Sequence, residues 1–167
     1  MDGEKKLPRR ALSVVGGASV ILGLIGIAFN AFTLFRDYTS VLQEVKGEVA
    51  PDQFYTAFYI MSGICLSFHT ALLVIGIQLI RQRSRWAFGL LGVMVLEVLY
   101  YLATGALWRG SQYRLSIAAA TGISSGALVI QASVLFPIWG PWIAIWSHRK
   151  IIQTAGSTVN NTSHPSV

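Results

Sequence analysis

Residues 11–35 form an apolar run without one charged side chain, and three more apolar runs follow: 54–80, interrupted only by His69, 86–108, interrupted only by Glu97, and the charge-free 115–146. Crossing roughly 30 Å of hydrocarbon takes about 20 apolar residues in a helix, so each run is long enough. Inside lipid every backbone N–H and C=O must be satisfied within the protein, which leaves helices or closed barrels. These runs are continuously apolar rather than alternating, and that selects helices over barrel strands. Only 12% of the 167 residues are charged, about half the share of a soluble domain. The one cysteine, Cys65, excludes a disulfide-stapled fold. The expected fold class is all-α: a polytopic integral membrane protein built as an antiparallel four-transmembrane-helix bundle.

The fourth run is too long for one crossing at about 1.5 Å per residue. Pro137, Gly140 and Pro141 are expected to break it, because proline removes a backbone donor and clashes with the preceding turn. The spans then fall at about 11–35, 54–80, 86–108 and 115–136. Residues 137–150 become a short interfacial helix, with Trp139, Trp142 and Trp146 at helical spacing and suited to the headgroup region. A kinked helix running straight through is the alternative. The first run exceeds the apolar core of a cleaved signal peptide and three spans follow it, so it is expected to stay as a helix. This layout resembles that of small tetraspan membrane proteins, a likeness of architecture that carries no motif.

Basic residues are unevenly placed. The 1–10 tail holds four, the 81–85 loop three and the 149–150 pair two, against two in each of the intervening segments. By the positive-inside rule both termini are expected in the cytoplasm of a multi-pass cell-membrane protein. The net charge of +6 then reads as orientation and attraction to anionic headgroups on that side. Nucleic acid is not an expected partner, since no basic patch is interleaved with aromatics. A short amphipathic helix is expected through Val41, Leu42, Val45 and Val49. The 151–167 tail is small and polar and is expected to be disordered; its Asn160 and Asn161 sequons would face the cytosol, unglycosylated.

No hydrophobic force pulls helices together in lipid, so close backbone approach and interhelical hydrogen bonds must hold them. Gly16, Ser19, Gly23 and Gly26 recur at steps of three and four, on one face of the first helix. Gly63 and Ser67 repeat the spacing in the second span, and Ala118, Gly122 and Gly126 in the fourth. Packing within the bundle is the expected use of these faces, with any face left over open to a homo-oligomer or a membrane-protein partner.

Within the runs, besides Cys65 and tyrosines, only His69 and Glu97 are ionisable. A charged group at the centre of a span costs about 2.5–3.5 kcal/mol on insertion scales. Counting from the short 81–85 loop places both at the same depth, about 16 Å in, on neighbouring helices. They are expected to pair, as a polar clamp that sets helix register or as a proton relay. Gly23 and residues 124–126 come to the same level, where small side chains would leave room for water or a small solute.

The sequence lacks CxxC, HExxH, GxSxG, Walker and GxGxxG signatures, and no second buried histidine could complete a haem site. No enzyme activity, metal or cofactor is expected. The expected function is that of a non-enzymatic accessory, assembly or membrane-organising component. The alternative is a small proton-coupled transporter or channel using Glu97 and His69.

Overall fold

The computed structural model describes residues 2–36, 51–110, 112 and 114–162; among these, 94% are helical and none is in a strand. The elements are α1 (Asp2–Phe35), α2 (Pro51–Ile80), a 3₁₀ turn (Ser84–Trp86), α3 (Ala87–Gly110), α4 (Arg114–Ser124), α5 (Gly126–Ser133) and α6 (Phe136–Thr162). Three segments are long and apolar enough to cross a membrane: Lys6–Phe35, Asp52–Ile80 and Ser84–Leu107. They coincide with the first three expected spans. The α4–α5 pair makes a fourth only if its two halves, bent by 57°, are counted as one crossing. The chain is a helical bundle suited to a membrane.

Short physical cues explain the ends. Pro51 opens α2, where its missing N–H and restrained φ suit a first helical turn. Gln82 closes α2 with a φ of 61°. The Gln82 N–H donates to the Leu79 carbonyl and the Arg83 N–H to Gln78, the paired bonds of a Schellman motif. The Gln82 amide then donates to Ser13 Oγ at 2.8 Å and to the Arg9 carbonyl at 3.3 Å. On the other side of the loop, His148 Nδ1 and Ser84 Oγ lie 2.9 Å apart. The three basic segments therefore meet at one end of the bundle, called here the basic end.

Two apolar clusters stack along the bundle. Nearer the basic end, Leu12 and Val15 of α1 pack with Leu72, Ile75 and Leu79 of α2, Leu90 and Met94 of α3, and Phe136 and Ala144 of α6. The other half joins Phe54, Phe58, Met61 and Cys65 of α2 to Tyr100 of α3, Ala120 of α4 and Leu128 of α5. Thus α4 serves one half of the core and α6 the other, with the short α5 between them.

This differs from the expected fourth span at 115–136 and interfacial helix at 137–150. The chain breaks twice, after Ser124 and after Ser133, and the second break precedes Pro137 rather than falling on it. Pro137 instead lies in the first turn of α6, where no intrahelical donor is needed. The 27-residue α6 buries Phe136, Gly140, Pro141, Ala144 and Ser147 along one face, which builds it lengthwise into the core. Trp142 is 77% exposed, whereas Trp139 is half-buried and donates its indole N–H to the Val134 carbonyl at 2.9 Å. That bond caps a carbonyl freed by the break. The basic 1–10 segment is continuous with α1, which begins at Asp2, and α6 runs to Thr162, through most of the segment expected to be disordered; residues 163–167 of that segment lie outside the described residues. The expected helix through Val41, Leu42, Val45 and Val49 lies outside the described residues.

Leu135 joins α5 to α6 with a φ of 54°, and its carbonyl accepts from the Ile138 and Trp139 N–H groups. A left-handed non-glycine residue carries strain of about 1–3 kcal/mol, and a β-branched residue fits there worst. Leu135→Ile is expected to destabilise the bundle by about 1–3 kcal/mol, with Leu135→Gly near neutral. Thermal unfolding in mild detergent measures the difference; equal midpoints for the two variants would show that the backbone there is unstrained.

Candidate functional site

Glu97 sits near the middle of α3 and is 5% exposed. Its partner is Gln131 of α5, 1% exposed, whose Nε2 donates to Glu97 Oε2 at 2.6 Å. The same nitrogen lies 3.4 Å from Met94 Sδ. The position of Gln131 depends on the two breaks. They detach α5 from the line of α4 and turn it so that Gln131, Ala127 and Leu128 face inward. Glu97 Oε1 and Gln131 Oε1 are buried and have no hydrogen-bond partner among the described residues.

A cavity of about 300 Å³ lies beside this pair, lined by Met94, Glu97, Val98, Tyr101, Leu128, Ala132, Leu135, Pro137 and Ile138. Four come from mid-α3, Leu128 from the start of α5, and the other four from around the second break. The Tyr101 hydroxyl reaches toward the Ser125 carbonyl at a long 3.5 Å, and the remaining wall is hydrocarbon or thioether. Val98, Leu135 and Ile138 are more than half exposed, so the cavity opens on the flank of the bundle.

His69 is fully buried but does not join Glu97. Its Nδ1 donates to the Cys65 carbonyl of its own helix at 2.7 Å, and its Nε2 has no partner among the described residues. The ring packs where a Cβ on Gly26 of α1 would overlap it. The expected Glu97–His69 pair is therefore not formed. Counting residues from a short loop sets the depth of two groups but not the rotation of each helix about its axis. His69 is turned to α1 and Glu97 to α5.

The small-residue faces divide into used and unused. A Cβ on Gly16 would lie 2.8 Å from the Gly76 carbonyl, and one on Gly23 2.9 Å from the His69 carbonyl. Contacts of residue 16 with 76 and of 23 with 69 make α1 and α2 antiparallel at backbone distance. Ser19 is buried in the same seam, its hydroxyl bonded to the Val15 carbonyl. Gly126, at the first break, receives the Phe29 ring of α1, and Ala118 is half-buried. Nothing lies within 4 Å of a Cβ placed on Gly63 or Gly122, and Ser67 is exposed. The room expected beside Gly23 and Gly126 is thus filled by the α2 backbone and by Phe29; the open space lies instead between α3 and the second break. Gln131 could be read from the sequence as a polar residue in an apolar run, but its pairing with Glu97 depends on the turn of α5.

Fold and site together define a membrane-suited helical bundle with a buried carboxyl beside a flank cavity. No protein-family model, curated protein or solved structure matches the chain.

Proposed function

We propose that this chain is a small, non-enzymatic integral membrane protein of four crossings that acts as an accessory, assembly or membrane-organising component. The outward face of α2 carries this reading. Gly63, Ser67 and Thr70 are exposed there, next to a groove of about 530 Å³ lined by Leu66, Ser67, Thr70, Val74 and Trp86, among others. The equivalent face of α1 is consumed inside the bundle. In lipid, small residues allow the close backbone approach that helix association needs, so a small-residue face left outside suits a helix of another membrane protein or a second copy. In this reading the basic end lies in the cytoplasm against anionic headgroups, with both termini there.

Cysteine crosslinking tests it. Cys65 is buried, so a cysteine introduced by Ser67→Cys is the reactive one. Native membranes treated with a short bifunctional thiol reagent are expected to yield a discrete crosslinked species with Ser67→Cys and not with a cysteine placed on the exposed Leu102. Monomer alone in both would sink the reading.

The second reading, a small proton-coupled transporter or channel, is favoured by Glu97 lining a cavity beside a broken crossing, the kind of place where transporters bind substrate. It now rests on Glu97 and Gln131 rather than on His69. Proton flux in proteoliposomes that Glu97→Gln abolishes would support it, and flux unchanged by that substitution would remove it.

A further inference from the structure

We propose that the flank cavity beside Glu97 binds an apolar molecule carrying a primary or secondary ammonium head. This goes beyond the accessory reading, which concerns the opposite use of a different helix face.

The polar inventory of the site is unbalanced. The Gln131 amide nitrogen, the nearest donor to the carboxyl, is already committed to Glu97 Oε2. Glu97 Oε1 and Gln131 Oε1 are left as two buried acceptors without partners among the described residues, and of the two residues it is Glu97 that lines the cavity. Buried polar groups are normally satisfied, because leaving one unpaired costs its full desolvation. With Glu97 ionised the missing element is a donor, and an N–H-bearing cation beside a carboxylate both favours that ionised form and makes the shorter, stronger class of hydrogen bond.

Cavity shape selects what else the guest carries. About 300 Å³ falls at the lower end of small-molecule sites, which pair apolar walls with a few orienting polar groups. Met94, Val98, Leu128, Leu135 and Ile138 supply such walls. A hydrated inorganic cation would forfeit its water shell against hydrocarbon, whereas an alkyl or aryl chain loses nothing there. The exposure of Val98, Leu135 and Ile138 on the flank lets the guest enter from the hydrocarbon side, head first toward mid-α3.

Photolabelling of the full chain in phosphatidylcholine nanodiscs tests the assignment, with a diazirine-bearing octylamine as probe. Saturable adducts are expected on Val98, Leu135 or Ile138. Unlabelled octylamine should compete at least about tenfold better than octyltrimethylammonium, which keeps the charge and chain but has no N–H to donate. Glu97→Gln is expected to weaken labelling by about tenfold or more. Ala132→Phe fills the cavity from an exposed wall position without touching the Glu97–Gln131 bond and should abolish labelling, which keeps the test decisive if Glu97→Gln fails to fold. Adducts spread evenly along the exposed flank, equal competition by the quaternary ion, or labelling that survives Ala132→Phe would each overturn the proposal and leave a cavity that holds only water or lipid. The outcome is separate from that of the Ser67→Cys crosslinking.

Discussion

Gly16→Leu is expected to prevent folding of the bundle, and even Gly16→Ala to destabilise it by about 1–3 kcal/mol. A Cβ there would lie 2.8 Å from the Gly76 carbonyl and 2.9 Å from the Ile80 backbone nitrogen. These neighbours are backbone, so neither can swing aside; α1 and α2 would have to separate. Separation would also unseat Gly23 from the His69 and Leu73 backbone and strip the seam that buries Leu12, Val15 and Leu79. Gly63 and Gly122 provide the control. A Cβ at either meets nothing within 4 Å, so Gly63→Ala and Gly122→Ala are expected to be neutral or to gain up to about 1 kcal/mol from helix propensity. Folded yield and unfolding in detergent should separate the two pairs clearly. Similar behaviour of Gly16→Ala and Gly63→Ala would mean the α1–α2 seam is looser than described.

The second large effect is expected at Glu97. Glu97→Leu removes the acceptor of the Gln131 amide and leaves that side chain, 1% exposed, without its carboxyl partner, at a cost of about 1–3 kcal/mol. Glu97→Gln can still accept from Gln131 and is expected to stay within about 1 kcal/mol of the parent. The double change Glu97→Leu with Gln131→Leu removes both polar groups and should recover much of the loss, because replacing both partners by apolar groups is nearly neutral. The coupling energy from this cycle is expected at about 0.6–2 kcal/mol, the range of interhelical hydrogen bonds in membranes. Independent, additive effects of the two single changes would show that Glu97 does not hold α5 in place. His69→Phe serves as a comparison: among the described residues His69 bonds only to its own helix's carbonyl, so the change should leave the Glu97–Gln131 coupling intact.

These expectations also mark where residue patterns were informative. The three long helices follow from long, almost wholly apolar runs, since such a stretch of hydrocarbon side chains has one stable form in lipid. The α1 seam was legible for a similar reason: Gly16, Ser19, Gly23 and Gly26 recur at the helical period, and only close approach of another helix makes use of such a stripe. The same pattern at Gly63 and Ser67 looked identical and faces outward. A small-residue face permits contact without naming the neighbour, and whether one arrives depends on how many helices compete for the same space.

The break in the last crossing shows the other limit. Prolines 137 and 141 marked a discontinuity, yet the chain turns at Ser125 and at Leu135, and both prolines sit inside α6. A first turn accepts proline, as at Pro137, whereas Pro141 lies one turn further in, inside the helix, so a proline alone does not mark where the chain breaks. Trp139 supplies a donor to the freed Val134 carbonyl, and Gly126 admits the Phe29 ring. Both contacts come from side chains that the local pattern does not bring to the breaks.

By itself, then, the sequence determined that this protein is helical, apolar along its flanks, basic at one grouping of its segments, and marked by one acidic residue within its runs. Each of those follows from side-chain chemistry repeated along a single chain. Only the tertiary structure decided that Glu97 meets Gln131 rather than His69, that the open space lies between α3 and the second break, and that one small-residue face is buried while another is left bare. Those outcomes depend on the rotation of each helix about its axis, which no one helix sets alone: it is the joint solution of backbone contact in the α1–α2 seam and the turned α5.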